Sequence, residues 1–127
     1  MESMHVRIQR RNLDTGTGTN PGTREFARRL GSSNDHAGHL IASRLGGTGT
    51  ETFNIIPQSP HMNTGAWRAD VEDMVYSIAQ LYGEVVFTVN PMYNAGSTRP
   101  YSIAHRISWH DGSHDREIID DLLNPGH

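Results

Sequence analysis

The stretch that most constrains the fold is the amphipathic segment that follows Asn63. Its apolar residues recur three or four positions apart, which is the spacing of one face of an α-helix, and they are Trp67, Val71, Met74, Val75, Ile78 and Leu81. Asn63 or Thr64 can cap this helix, and Gly83 can end it. A helix with one apolar face needs a second layer to cover that face, so the rest of the chain has to supply a sheet or more helices.

Alternating apolar and polar residues on both sides of the helix predict strands. Residues 5–10 form a short alternating piece, residues 85–89 form a second one that Pro91 should end, and residues 101–109 form a third. Residues 118–123 fit either a last helix or a short strand. The chain is therefore predicted to have an α+β fold, with strands on both sides of one central helix.

The length of 127 residues fits one domain, which we take to span residues 1–127. Residues 12–23 are rich in glycine, threonine, asparagine and proline, so residues 1–23 are expected to be partly flexible. The absence of cysteine excludes disulfide scaffolds, thiol catalysis and cysteine-based metal sites. No apolar run approaches the ~20 residues of a membrane span, and residues 1–11 lack the apolar core of a signal peptide.

The charge is distributed unevenly along the chain. All 11 basic residues are arginine, and the formal net charge is -3. Residues 1–68 carry eight arginines against five acids, a balance of +3, whereas residues 69–127 carry three arginines against nine acids, a balance of -6. The total argues against a strongly basic nucleic-acid binder, but the first half can approach phosphate groups.

Three polar motifs lie within 38 residues: Asp35-His36-Ala37-Gly38-His39, Asn54-Ile55-Ile56-Pro57-Gln58, and Asn63-Thr64-Gly65-Ala66-Trp67 with Glu72 beyond. A histidine imidazole can take up a proton near neutral pH. The amide oxygen of an asparagine suits a hard cation such as Mg²⁺, and arginines can clamp phosphate groups in bidentate fashion. A base, a hard cation and guanidinium clamps are the parts needed to hydrolyse a phosphodiester, and none of them has to read a base edge.

The eight histidines allow a second interpretation. His36 and His39 are three residues apart, a spacing that can grip zinc, although no third ligand is spaced to match a zinc motif. His105 falls on the apolar face of a predicted strand and is expected to be buried. His61 can point either way, and three histidines sit in polar segments where exposure is expected: His110, His114 and His127.

The motifs together resemble the DNA/RNA non-specific endonucleases, a family of the ββα-metal (His-Me finger) nucleases. The resemblance rests on the order Asp-x-x-Gly-His-Leu-Ile-Ala, Leu-Gly-Gly, Asn-Ile-x-Pro-Gln and Asn-x-Gly-x-Trp, and it is strongest over residues 34–72. It is closest to bacterial members with an Asp-x-Ala-Gly-His motif, which often form toxin domains at the ends of larger exported proteins. It implies a ββα-metal core at about residues 34–82, made of two strands and a metal-bearing helix and extended by further antiparallel strands.

The resemblance also implies a role for individual residues. His39 would be the general base that activates water, and Asn63 would be the main protein ligand of Mg²⁺, with Mn²⁺ or another divalent cation as the alternative. Asn54 would lie on the second strand of the core and would support the site or the substrate. Glu72 would hold a metal-bound water. Asp35 and His36 are expected to support the catalytic residues and to orient them.

Two departures from the family pattern affect these roles. Many relatives have an arginine just before the motif glycine, where this chain has Ala37, so a phosphate clamp has to come from elsewhere; the candidates are Arg28, Arg29 and Arg44, with Arg24 also near in sequence. The family glutamate usually lies eight residues after the metal asparagine, whereas here the eighth is Val71. We favour Glu72 for the role, with Asp70 as the alternative.

The function implied is a metal-dependent, largely sequence-non-specific endonuclease that cuts DNA, with RNA as the alternative substrate. The resemblance points to an antibacterial toxin or effector domain that reaches a target cell as part of a larger secreted protein and that is neutralised by a cognate immunity protein. Activity is expected to fall in acid as His39 takes up a proton. The competing hypotheses are a catalytically silent nucleic-acid- or protein-binding module of the same fold and a histidine-based zinc-binding domain.

Overall fold

The computed structural model describes residues 3–32, 34–60 and 62–125, and the predicted α+β class is confirmed. The elements are β1 (Met4–Gln9), α1 (Pro21–Leu30), β2 (His36–His39), β3 (Ile55–Gln58), a π-helix (Met62–Glu72) that continues as α2 (Asp73–Tyr82), β4 (Glu84–Met92), β5 (Ser102–His110) and β6 (Asp115–Leu123). The expectations for His61 and His127 fall outside the described residues. No helix in the described part of the chain is long and apolar enough to cross a bilayer.

Four strands form an antiparallel sheet in the order β1-β4-β5-β6. The alternation in the sequence sets which side chains face inward, because successive side chains of a strand point to opposite faces. Phe87 of β4 lies opposite Val6 of β1 and Ile107 of β5 in the register. Phe87 and Ile107 are buried, so this face of the sheet forms the main wall of the core.

Trp67 is the centre of the core between the sheet and the long helix. Its side chain is 0% exposed. The indole ring lies 6.2 Å from the ring of Phe87 and meets the ring of His105 edge-on at 5.5 Å. Because one side chain touches both central strands, it fixes the distance at which the helix crosses the sheet.

The hairpin of β2 and β3 is a separate two-stranded antiparallel sheet, and α1 packs against it. His39 pairs with Ile55 in the register, and Gly38 pairs with Ile56. A side chain at Gly38 would collide with the buried side chain of Gln58, since an added Cβ would lie 2.0 Å from its Oε1. The motif glycine is therefore required by close packing inside the hairpin.

Several local predictions were wrong, and the structure decides one that had left two alternatives open. Met74 and Leu81 were placed on the apolar face of the helix, but they are 40% and 72% exposed. Strand β4 continues through Pro91 to Met92, because β1 begins at Met4, opposite Val89, and therefore requires no N–H from the proline. Asn54 lies in a helical turn that precedes β3, not on the strand as the resemblance implied. Residues 118–123 are part of a strand, β6.

The indole N–H of Trp67 has no hydrogen-bond acceptor within the described residues. We therefore expect Trp67→Phe to cost only about 1–2 kcal/mol in the free energy of unfolding, because it removes an unsatisfied donor together with some volume. Trp67→Ala should cost about 3–5 kcal/mol, because it leaves a cavity. Urea unfolding of both variants would measure the difference, and equal losses would contradict this account of the indole.

Candidate active site

A cleft of about 260 Å³ opens where the end of the hairpin meets the start of the long helix. It is lined by His39, Ala42, Ser43, Arg44, Asn63, Arg68 and Glu72. Four of the residues singled out from the sequence therefore meet at one place. A larger cavity of about 750 Å³ lies beside β4, β5 and β6. None of the predicted site residues lines it, so the smaller cleft is the candidate active site.

His39 is the last residue of β2, and its ring is held by the main chain of a distant loop. The Nε2 atom lies 2.8 Å from the carbonyl oxygen of Thr17. A carbonyl can only accept a hydrogen bond, so Nε2 carries the ring proton. The other ring nitrogen, Nδ1, is then unprotonated in the neutral imidazole and can accept a proton.

The loop that carries Thr17 is fastened to residues 43–49. The backbone N–H of Thr17 donates to the carbonyl of Gly47 at 3.1 Å, and its Oγ1 accepts from the N–H of Gly49 at 2.9 Å. Gly16 lies so close to this segment that an added Cβ would meet the carbonyl oxygen of Gly47 at 2.2 Å. The glycines and threonines expected to make residues 12–23 flexible thus allow close contact between two loops.

Asn63 is oriented by His36, which sits on β2 three residues before His39. The amide Nδ2 of Asn63 lies 3.1 Å from Nδ1 of His36. The amide nitrogen donates, so the histidine nitrogen accepts. This hydrogen bond leaves the amide oxygen of Asn63 as the atom that can coordinate a cation.

The winding of the helix brings Glu72 to the cleft. In an α-helix, the nine residues from Asn63 to Glu72 would make about 2.5 turns, and the two side chains would point in opposite directions. Residues 62–72 instead form a π-helix, in which hydrogen bonds run to the fifth residue and a turn takes roughly 4.4 residues. Nine residues then make about two turns, and both side chains line the same cleft.

Glu72 is only 9% exposed. Burial is the largest cause that raises its pKa, from the ordinary 4.5 to about 7, and nearby Asp73 raises it slightly further. Arg44 and Arg68 act in the opposite direction through their positive charges. A carboxyl group with a pKa of about 7 is close to half ionised at neutral pH, so a small change in pH adds or removes one negative charge in the cleft.

Asn54 does not line the cleft. It is 1% exposed, and its amide binds the backbone at both ends of one loop. The Oδ1 atom accepts from the N–H of Ile41 at 2.8 Å, and Nδ2 donates to the carbonyls of Ile41 and Thr48, each at 2.8 Å. Asn54 therefore closes the loop on which Arg44 is carried.

Asp35 also lies away from the cleft, in a buried ion pair. Its side chain is 0% exposed, and the guanidinium of Arg99 contacts both carboxylate oxygens, at 2.7 and 3.1 Å. Arg99 also donates to the carbonyls of Asn124 and Pro125. The start of the His39 motif is thereby tied to the C-terminal segment, a connection that sequence reasoning missed because nothing local indicates it.

The arginines divide into two groups. Arg44 lines the cleft as expected, and so does Arg68, which sequence reasoning missed. Arg68 follows Asn63 by five residues, which is close to one turn of a π-helix but well off the same face of an α-helix. Arg28 and Arg29 are exposed on α1, where Arg28 contacts Glu25, and neither lines the cleft.

The donor atoms at the cleft fit a hard divalent cation. Asn63 offers an amide oxygen and Glu72 a carboxylate, and cations such as Mg²⁺ bind through oxygen ligands while they keep several waters. The described residues contain no group of three or more histidine, aspartate or glutamate side chains that could hold a metal on their own. For zinc, His36 and His39 each have one ring nitrogen already engaged, with Asn63 and Thr17 respectively.

The raised pKa of Glu72 predicts a specific dependence of stability on pH. Between pH 4.5 and 7 the folded protein holds a proton that the unfolded chain has lost, so stability falls as the pH rises through this range. Compared with Glu72→Gln, the wild type should lose about 3 kcal/mol over this window. The measurement is urea unfolding at several pH values in EDTA, with Glu51→Gln at an exposed site as the control. Parallel curves for wild type and Glu72→Gln would contradict the raised pKa.

The ion pair of Asp35 and Arg99 predicts a large effect of one substitution. Arg99→Ala should lower the free energy of unfolding by about 3 kcal/mol, because it leaves the buried carboxylate without its guanidinium. Arg106→Ala, which breaks an exposed ion pair with Glu117, is the matched control and should cost less than about 1 kcal/mol. Thermal or urea unfolding would compare them, and similar losses for the two variants would argue against the ion pair as a structural clamp.

The chain is similar to known proteins in sequence and in fold. A family model described as DNA/RNA non-specific endonuclease matches residues 8–109. A protein of Dickeya dadantii (strain 3937) named "Probable deoxyribonuclease RhsA" is 36% identical over 105 residues, which is 83% of this chain and 7% of that protein. A solved structure named "extracellular endonuclease" superposes with a TM-score of 0.71 at 18% identity, over 99% of this chain and 73% of the other, and shows the same fold. The chain belongs to the DNA/RNA non-specific endonuclease family.

Proposed function

We propose that this protein hydrolyses phosphodiester bonds of DNA without reading the sequence, with His39 as the general base and Asn63 as the ligand of a divalent cation. The observation that carries the proposal is the cleft itself. Within it, an imidazole with an unprotonated Nδ1, an oriented amide oxygen and a buried carboxyl group share one small volume. These are the groups required to activate water beside a metal-bound phosphate.

The proton transfer is performed by His39. Its Nδ1 takes a proton from water as the water oxygen bonds to phosphorus, and the ring becomes positively charged. The P–O bond to the departing sugar oxygen breaks, and that oxygen takes up a proton from solvent. The carbonyl oxygen of Thr17 stabilises that charge, because it already accepts the hydrogen bond from Nε2. The bond to Thr17 also prevents the ring from turning, so that Nδ1 remains directed to the substrate.

Asn63 and Glu72 would hold the cation, Asn63 through its amide oxygen and Glu72 through a water. When bound, the cation supplies charge stabilisation on the phosphate and on the departing oxygen. Mg²⁺ is the ion we favour, and Mn²⁺ is the alternative. Arg44 and Arg68 would contact the non-bridging phosphate oxygens from the sides of the cleft.

The residues behind the cleft would act by positioning. His36 holds the amide of Asn63, Asn54 closes the loop of Arg44, and Asp35 anchors the start of β2 through Arg99. None of the three needs to touch the substrate. Arg28 and Arg29, on the exposed side of α1, would contact phosphates further along the nucleic acid, at a distance from the scissile bond.

DNA is the substrate we favour, because a relative that matches 83% of this chain is named "Probable deoxyribonuclease RhsA". The proposed contacts are to phosphate, so RNA remains the alternative. We further propose that the domain is an antibacterial toxin or effector module, delivered as part of a larger secreted protein. The chain spans 7% of the length of its curated relative, which supports a module within a longer chain. A cognate immunity protein with an acidic surface would complement the arginines of the cleft.

Plasmid nicking in the presence of Mg²⁺ tests the assignment of His39. His39→Ala should reduce the rate about 10²- to 10⁴-fold, because the general base is removed. Asn63→Ala should abolish the dependence on added Mg²⁺ together with most of the rate. His110→Ala, exposed beside the larger cavity, is the control and should cut at the wild-type rate.

The same assay separates the competing hypotheses. Wild-type activity should decline as the pH falls from 8 to 5 while the fold, followed by circular dichroism, stays intact. Equal rates for wild type and His39→Ala would remove His39 as the base. No cutting by any variant with metal supplied would favour the catalytically silent binding module, and zinc in the purified protein, measured by mass spectrometry, would favour the zinc domain.

A further inference from the structure

Arg44 is held in place by groups on two separate segments, α2 and the loop that carries Asp14. Its Nη1 contacts Oδ1 of Asp73 at 2.7 Å, and its guanidinium carbon lies 4.8 Å from the centre of the ring of Tyr76. Its own carbonyl oxygen accepts a hydrogen bond from the N–H of Asp14 at 2.8 Å. Both its side chain and its main chain are therefore restrained, although the side chain is still 26% exposed at the cleft.

Tyr76 is fixed in turn by Asp14. Its hydroxyl donates to Oδ2 of Asp14 at 2.6 Å, and this hydrogen bond is the largest cause that raises the pKa of Tyr76, so the phenol stays neutral and remains a donor at physiological pH. Asp14 has a φ of 61°, in the left-handed region that aspartate tolerates better than most residues. One aspartate thus connects the loop of Arg44 to the ring on which its guanidinium lies.

Tyr76 takes no part in the chemistry described above, since it does not line the cleft. It lies on α2, four residues beyond Glu72. Its ring face attracts a guanidinium that would otherwise sample many rotamers. One Nη1 contact to Asp73 occupies only part of the five donors of an arginine, so the remaining N–H groups can still meet a phosphate.

We propose that Tyr76 is a positioning residue for Arg44, and that the ring of Tyr76 preorganises the guanidinium as the phosphate clamp of the cleft. The inference rests on the proposed function, because it identifies how this chain compensates for Ala37. Preorganisation strengthens binding by reducing the freedom that the side chain loses when the substrate docks. The ring therefore acts only through Arg44, which gives the proposal a sharp test.

The test is a double-mutant cycle on DNA binding. A short fluorescein-labelled DNA duplex is titrated with His39→Ala protein in Mg²⁺, and the Kd is measured by fluorescence anisotropy. Adding Tyr76→Leu should raise the Kd about five-fold, whereas Tyr76→Phe, which keeps the ring, should change it less than about two-fold. In an Arg44→Ala background, Tyr76→Leu should change the Kd less than about two-fold, because the group it positions is gone.

The outcomes separate positioning from a structural role. An equal rise in Kd from Tyr76→Leu in both backgrounds would show general damage and overturn the proposal. An unchanged Kd when Tyr76→Leu is added to His39→Ala protein that retains Arg44 would also overturn it. A loss from Tyr76→Phe as large as that from Tyr76→Leu would also overturn it, because the hydroxyl would then matter in place of the ring. If Tyr76→Leu does not fold, Tyr76→Met supplies an apolar side chain without an aromatic face and replaces it in the cycle.

The readout also separates this proposal from the proposed function. Binding is measured on protein that lacks His39, so the cycle gives a result whether or not the wild type cuts DNA. A nuclease-active wild type with no coupling between Tyr76 and Arg44 would overturn only the positioning role. An inactive wild type that shows the coupling would overturn only the catalytic assignment.

Discussion

The site depends on the loose winding of the helix that follows the hairpin. Asn63 and Glu72 can face one cleft across nine residues only because the helix between them makes hydrogen bonds to the fifth residue. An α-helix of the same length would direct one of them away from the cleft. The winding of the backbone therefore places the acid and the asparagine at the same cleft although nine residues separate them. Arg68 reaches the cleft through the same winding.

The sequence predicts the features that local chemistry controls. The fold class, the inward faces of β4 and β5 and the burial of His105 all follow from alternation and apolar character. The motif residues His39 and Asn63 do meet at one cleft. The same periodicity failed for Met74 and Leu81, which are exposed. A period of 3.6 residues was applied across a segment that is a π-helix, so side chains after that segment were assigned to the wrong face of the helix.

The contacts between distant segments could not be predicted from the sequence. Arg99 lies 64 residues from its partner Asp35, and Tyr76 lies 62 residues from Asp14. No regular sequence spacing predicts either contact, because both form only when the sheet and the hairpin pack together. These contacts restrain the loops around the cleft, so much of the precision of the site is supplied by residues that take no part in binding or chemistry.

The partner of the His39 imidazole is a main-chain oxygen, and this has an evolutionary consequence. Every amino acid carries that oxygen, so a substitution at position 17 does not remove the acceptor and acts on the ring only through the path of the loop. The Thr17 hydroxyl contributes to that path, because it accepts from the N–H of Gly49. Natural selection is therefore expected to preserve the path of the main chain at this loop. The small residues that let the two loops touch determine that path.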